Sequence, residues 1–260
     1  MINEEKIFYD STDGIRLCGL LSVMNKSKNI VVLLHGLNGN KEEMNCFNVA
    51  VQQLQNKRIN SFRFDFRAHG ESTGIDYEMT PTKEVEDLES TLNMLSKKGF
   101  ENIVLLGASF GASIISLLDY NMYSNVKGLI LWYGAIDYLA TIEEQGYFTK
   151  EHRKCAEDNG YYEIKSRKTG RTFKLGLPLY NEVYSIVPYK KLIDVELPIL
   201  FVHGLSDEMV PYQLSESVSK LCKNAKLELI ENGKHAFSKD DVALNRAIDV
   251  SIDFINEVLK

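Results

Sequence analysis

The chain has 260 residues, 44% of them hydrophobic and 25% charged, which suits one large folded core and leaves little material for extended disorder. A formal net charge of -6 with no Lys/Arg stripe disfavours nucleic acid as a partner. The N-terminus "MINEEKIFYD" has no apolar h-region, no run reaches the roughly 18 apolar residues of a membrane span, and Cys18, Cys46, Cys155 and Cys222 are too scattered for a disulfide framework or a zinc site, so a cytoplasmic protein with free thiols is expected.

"EEKIFYDSTDGIRLCGLLSV" places two β-like segments around the turn signal Ser11-Thr12-Asp13-Gly14 and predicts an antiparallel hairpin at one sheet edge. Short apolar runs then alternate with amphipathic stretches: "NIVVLLHG", "MNCFNVAVQQLQNK", "INSFRFDF", "PTKEVEDLESTLNMLSKK", "NIVLLGAS", a helix from Ser109, and "VKGLILWYG". Runs buried on both faces and separated by helices predict a mostly parallel sheet covered on each side. One helix carries its own boundary signals, with Thr80 as cap, Pro81 at the first position, Val85, Leu88, Leu92 and Leu95 on one face, and Gly99 at the end.

After Gly134 the alternation stops and resumes only at "LPILFVHG", an interval far longer than the roughly 2–6 residues of a βα connection. Residues 1–136 and 191–260 are therefore assigned to an α/β core, and 137–190 to an inserted lid of helical segments plus a small hairpin, "YYEIKSRKTGRTFKLG", turning at Lys168-Thr169-Gly170. The insertion carries nine Lys/Arg and eight Asp/Glu, a net +1 against -7 elsewhere. Within 165–174 every charge is basic, which suits an anionic acid, a phosphate-bearing thioester, or simply a solvated face. Tyr147, Phe148, Tyr161, Tyr162, Phe173, Tyr180, Tyr184 and Tyr189 are candidates for a substrate pocket or for packing the lid. The core resumes with "LPILFVHG", a helix from about Pro211, "AKLELIE", and a last helix from about Asp240 with Val242, Leu244, Ile248, Ile252 and Ile255 as candidate core contacts.

A serine hydroxyl is a weak nucleophile, so catalysis through one needs a base, a group that orients the base, and donors for the developing oxyanion. In "GASFG", Gly107 and Gly111 flank Ser109 at the spacing G-x-S-x-G, between a strand and a helix, where a sharp elbow would expose the hydroxyl and aim the Phe110 N–H at a reacting carbonyl. Taken alone, the same residues also fit a Gly-rich helix start with a capping serine. "LLHGLNGN" ends an earlier strand, where the Leu37 N–H can serve as second oxyanion donor and His35 as a turn-stabilising residue. Asp207 in "HGLSDEMVP" and His235 in "ENGKHAFS" follow later strands as orienting acid and general base. The order Ser109, Asp207, His235 is the one expected for a hydrolase triad on this kind of sheet, with Asp137 after "LILWYGAI" as the rival acid. Asp65, Arg67 and His69 in "FDFRAHGES" are read as a structural loop with internal Asp–Arg pairing, His203 as a backbone-bonded turn residue, and His152 as solvated. Neither H-E-x-x-H nor a G-x-G-x-x-G after a strand occurs, so neither a metal nor a dinucleotide cofactor is expected.

Across nearly its whole length the chain resembles the α/β-hydrolase superfamily, carried by "HGLNGN", "FDFRAHGES", "GASFGA", "HGLSDEMVP" and "GKHAF" in that order. It looks most like small bacterial carboxylesterases of the cinnamoyl or feruloyl esterase type. The resemblance implies an α/β-hydrolase fold, Ser109 as nucleophile, His235 as base, Asp207 as acid, and the Leu37 and Phe110 backbone amides as oxyanion hole. The insertion shows no residue-level match to the aromatic-acid esterases. The expected activity is hydrolysis of a small or aromatic carboxylic ester through an acyl-enzyme, by a monomer or homodimer without cofactor. Acyl thioester hydrolysis or acyl transfer is the first alternative, and a non-catalytic ligand-binding protein on the same fold the second.

Overall fold

In the computed structural model, which describes residues 4–145, 148–165, 170, 172–237 and 241–260, β1 (Glu5–Asp10) and β2 (Arg16–Ser22) form the expected antiparallel hairpin. The chain then runs through β3 (Asn29–Leu34), α1 (Cys46–Asn56), β4 (Ser61–Asp65), α2 (Pro81–Lys97), β5 (Asn102–Ala108), α3 (Phe110–Leu117) and β6 (Val126–Trp132). Four helices, α4 (Tyr138–Gln145), α5 (Lys150–Asn159), α6 (Leu177–Ser185) and α7 (Pro188–Leu192), and the antiparallel pair β7 (Tyr161–Lys165) and β8 (Thr172–Gly176) precede β9 (Ile199–Gly204). The chain closes with α8 (Tyr212–Ser219), β10 (Ala225–Ile230) and α9 (Asp241–Val258). The large sheet has the order β1-β2-β4-β3-β5-β6-β9-β10, parallel from β4 to β10, with β2 antiparallel to β4.

Every residue of β4 and β9, and nearly every residue of β3, β5 and β6, is buried, because helices cover both sheet faces. On one face Phe47, Val51 and Leu54 of α1 join Ala247, Ile248 and Ile252 of α9 around Trp132. On the other, Leu88, Leu92 and Leu95 of α2 and Ile114 and Ile115 of α3 pack with Val218 of α8. Each such side chain contributes about 1.5–3 kcal/mol relative to exposure. The boundary signals of α2 act as read: Thr80 Oγ1 accepts from the Lys83 N–H at 3.2 Å, Pro81 opens the helix, and Gly99 follows its end at φ +95°. At the outer edge β10 is guarded by the pairs Lys226–Glu257 and Arg246–Glu228.

Three expectations need correction. Val242 is 78% exposed, because along α9 it points away from the stripe formed by Leu244, Ile248, Ile252 and Ile255. His152 is not merely solvated: its N–H donates to Thr149 Oγ1 at 3.2 Å, its Nδ1 faces the Thr149 N–H, and its ring stacks on Tyr162. Asp65 and Arg67 do not pair with each other. Lys41 Nζ donates to Asp65 at 2.6 Å, while Arg67 holds Asp87 through Nε at 3.0 Å and Nη2 at 2.7 Å and reaches Asp13 through Nη1 at 2.8 Å.

Arg67 therefore ties the hairpin turn, the loop after β4 and α2 together. Asp87 is wholly buried, so removing its guanidinium partner leaves a carboxylate without its counter-ion. Arg67→Met is expected to destabilise the fold by about 3–5 kcal/mol in urea unfolding, and Arg67→Met with Asp87→Leu to recover most of that loss.

Candidate active site

β3 connects leftward to β4 and β5 connects rightward to β6, so the loops leaving the C-terminal ends of these neighbouring parallel strands diverge and open a crevice. His35 to Leu37 leave β3 there, Ser109 leaves β5, and the loops after β9 and β10 bring Asp207 and His235 to the same edge. The parallel sheet thus gathers residues far apart in sequence.

Ser109 sits between β5 and α3 at φ 52°, ψ −116°, a conformation that a side chain rarely adopts. The turn is tight enough to require its glycines. A Cβ on Gly107 would lie 2.6 Å from the Gly111 carbonyl oxygen, and one on Gly111 would overlap the Leu34 and His35 carbonyls. The Ser109 N–H donates to the Trp132 carbonyl at 2.9 Å, and its own carbonyl accepts from Ala112 and Ala135, both at 3.1 Å. This backbone bonding anchors the elbow to β6 and α3. No side-chain capping bond forms, so the reading of Ser109 as a simple helix cap does not hold.

Asp207 and His235 meet directly, with His235 Nδ1 2.8 Å from Asp207 Oδ2. The other carboxylate oxygen accepts from the Met209 N–H at 2.8 Å and the Val210 N–H at 3.0 Å. His203 Nε2 donates to the Val210 backbone carbonyl at 3.0 Å, as its reading as a backbone-bonded turn residue implied, and also lies 3.3 Å from Asp207 Oδ2, a contact that sequence did not indicate. Burial pushes the Asp207 carboxyl up, but hydrogen bonds from His203 and His235 outweigh it and hold the group well below the usual carboxylate range. The rival acid Asp137 instead caps α4, accepting from the Ala140 N–H at 3.3 Å.

His235 is buried in a turn where Ala236 and Phe237 have φ of 62° and 49°. Tyr133, fully buried at φ 38°, meets the imidazole edge to face at 4.7 Å, and Phe237 packs against Tyr133 at 5.1 Å. Tyr133 directly follows Trp132, the residue that binds the Ser109 backbone, so β6 connects the serine elbow to the histidine. Sequence offered no signal for this role; Tyr133 reads as one more apolar residue at a strand end.

On the far side of Ser109, a Cβ at Gly36 would lie 3.0 Å from Ser109 Cβ, so this backbone abuts the elbow. His35 Nε2 accepts from the Phe66 N–H at 3.1 Å, which leaves Nδ1 to donate to the Gly36 carbonyl at 2.8 Å. Burial lowers the His35 pKa and keeps the ring in this neutral tautomer. Gly36 C=O and Leu37 N–H belong to one peptide unit, so fixing the carbonyl fixes the amide. The Phe110 N–H opens α3, where first-turn amides have no intrahelical acceptor.

Between β6 and β9, Phe148, Tyr162, Phe173 and Tyr180 are buried in the core cluster, so these aromatics serve packing. Tyr184 stacks on Tyr180 and donates from its hydroxyl to the Phe148 carbonyl at 2.8 Å. Tyr161 stacks on Tyr77, and Lys174 Nζ lies over its ring at 4.3 Å. Tyr147, Arg167, Arg171 and the turn residues Lys168 and Thr169 lie outside the described residues. No helix among the described residues is long and apolar enough to cross a membrane.

The chain is similar to other proteins over most of its length. It is 27% identical to the uncharacterized protein YfhR of Escherichia coli K12 over 265 residues, covering 97% of this chain and 82% of YfhR. It is 26% identical to the human serine hydrolase BPHL over 221 residues, covering 79% and 72% of the two chains. Est1E of Butyrivibrio proteoclasticus with bound ferulic acid superposes at a TM-score of 0.82 with 25% identity, over 97% of this chain and 99% of that one. Residues 25–154, half of the chain, match the Hydrolase_4 family, described as serine aminopeptidase, S33. By fold and by this match, the chain belongs to that serine hydrolase family, on the α/β-hydrolase fold.

Proposed function

We propose that the protein hydrolyses carboxylic esters, with Ser109 as nucleophile, His235 as general base and Asp207 as the acid that orients the base. The observation that carries this reading is the hydrogen bond between His235 Nδ1 and Asp207 Oδ2 at the sheet edge that also presents Ser109 on its strained elbow. The Asp207 bond places the His235 proton on Nδ1 and leaves Nε2 as the basic nitrogen. His235 Nε2 takes the Ser109 proton as Oγ attacks the ester carbonyl, and the resulting oxyanion accepts from the Leu37 and Phe110 amides. Collapse of the tetrahedral intermediate expels the alcohol, protonated by His235, and leaves an acyl-enzyme. A water deprotonated by His235 then attacks the acyl carbonyl and releases the acid.

Small or aromatic carboxylic esters are the proposed substrates, supported by the likeness to Est1E with bound ferulic acid. Residues 137–190, which connect β6 to β9, are proposed to act as a lid. The test is a panel comprising p-nitrophenyl butyrate, methyl ferulate, butyryl-CoA and an aminoacyl p-nitroanilide. Ester turnover exceeding thioester and anilide turnover by at least about tenfold in kcat/KM supports the ester assignment, since tenfold corresponds to about 1.4 kcal/mol of transition-state preference. Preference for the anilide would move the activity to peptides.

A further inference from the structure

We propose that Glu43 is a positioning residue for the oxyanion hole: its carboxylate holds the Gly36 amide so that the following peptide presents the Leu37 N–H to the oxyanion. This rests on the proposed serine mechanism and on Leu37 as one of its two donors.

In sequence Glu43 lies within "GNKEEMN", after the strand that carries His35 and Gly36. In the fold it is only 4% exposed, and its Oε2 accepts from the Gly36 N–H at 2.8 Å. A carboxylate is costly to bury, so its position at a backbone amide in the site calls for a compensating role. The backbone supports this placement at a further cost. Glu43, Met44 and Asn45 have φ of 40°, 51° and 75°, three successive non-glycine residues in the left-handed region, each unfavourable by about 1–2 kcal/mol. A regular helical start before α1 would avoid that strain and would lose the geometry that brings Glu43 back to the loop.

The grip on Gly36 is two-sided. Glu43 takes its N–H, while His35 Nδ1 at 2.8 Å and the Gly39 N–H at 3.0 Å donate to its carbonyl. Both peptide planes meeting at the Gly36 Cα are thereby held, and Leu37 N–H lies at the end of the second. Donation to the Gly36 carbonyl also polarises that amide and strengthens its N–H as a donor. The position of a Gly36 Cβ would be 3.0 Å from Ser109 Cβ and 3.5 Å from Glu43 Oε1, so the loop is clamped between nucleophile and carboxylate. The role requires an acceptor at this point and not a negative charge, which would oppose a nearby oxyanion.

The test compares the wild-type chain with Glu43→Ala, Glu43→Gln and Glu43→Asp in p-nitrophenyl butyrate turnover, with phenylboronic acid as a probe forming a tetrahedral anionic adduct. Active sites are counted by burst titration. Glu43→Ala is expected to lower kcat per active site by about 10–100-fold, below the 10²–10³ for deleting a donor outright, with KM within about twofold. The inhibition constant of phenylboronic acid should rise by the same factor. Glu43→Gln, which keeps an acceptor oxygen, is expected to stay within about threefold of wild type. Glu43→Asp withdraws the acceptor by one methylene and should fall with alanine, which decides the matter if the alanine variant does not fold. Unchanged kcat in Glu43→Asp, equal losses in Gln and Ala, or a loss explained entirely by fewer active sites would overturn the role. A wild-type chain that turns over no ester and leaves Ser109 unmodified would instead overturn the serine mechanism itself.

Discussion

Ser109→Gly is expected to give a protein that is inactive and more stable than Ser109→Ala. Both variants remove the hydroxyl, so both should lack acyl-enzyme formation and lose at least about 10⁵-fold in ester turnover, in line with deleting the nucleophile of a triad. They differ in backbone freedom. Alanine inherits φ 52°, ψ −116° with its Cβ in place, whereas glycine adopts that conformation readily. Relief of about 1–3 kcal/mol of strain, less about 0.5–1 kcal/mol for the freedom glycine loses on folding, leaves up to about 2.5 kcal/mol and should raise the melting temperature over alanine by up to about 10 °C. Equal melting temperatures would mean that the strain stored in the elbow is no larger than the about 0.5–1 kcal/mol that glycine loses on folding.

Asp207→Asn is expected to lower kcat by about 10³–10⁴-fold, the size of loss seen when a triad acid is neutralised in place. The cause lies in the local hydrogen bonds. Met209 and Val210 N–H groups hold one oxygen of the carboxylate, so an asparagine must turn its carbonyl toward them and its NH2 toward His235. His235 Nδ1 then becomes an acceptor, its proton moves to Nε2, and the base cannot take the serine proton. Asp137→Asn, which changes only the cap of α4, should retain activity within about threefold, since a cap affects stability by about 0.5–2 kcal/mol without touching the site.

The same carboxylate sets a pH dependence. Because its pKa in the folded chain lies below the ordinary carboxylate value of 3.8, ionised Asp207 stabilises the fold above about pH 4, and this contribution is lost as pH falls further and the group is protonated. Equilibrium unfolding between pH 3 and pH 7 should therefore show a steeper acid loss for wild type than for Asp207→Asn. Parallel profiles would remove Asp207 from the groups that govern acid stability.

The strands and the order of the chemistry-bearing residues were legible because their signals are local. "NIVLLGAS" ends a doubly buried strand and a helix starts at Phe110, so the spacing around Ser109 already implied an elbow. Asp207 and His235 could be placed at strand ends from the apolar runs before them. What escaped sequence reasoning was non-local. Nothing in "KEEMN" announces the left-handed backbone that turns the Glu43 carboxylate inward. Tyr133 gains its place beneath His235 only when β6 packs beside β9. His203 faces Asp207 across a four-residue turn whose closure depends on Val210 and Ser215. Arg67 found Asp87 twenty residues away on α2 in preference to Asp65 nearby, because Asp65 was already held by Lys41 and the Glu71 amide. The aromatic content of the insertion was evident, but whether those rings faced substrate or each other depended on packing, and the described ones largely pack.

The most direct measurement of the serine mechanism is labelling of the folded chain with a fluorophosphonate, followed by mass spectrometry of its proteolytic peptides. A single adduct on Ser109, absent after Ser109→Ala and strongly slowed after Asp207→Asn, is the expected result. Folded protein that carries no adduct, or carries it on a residue other than Ser109, would contradict the assignment of Ser109 as nucleophile.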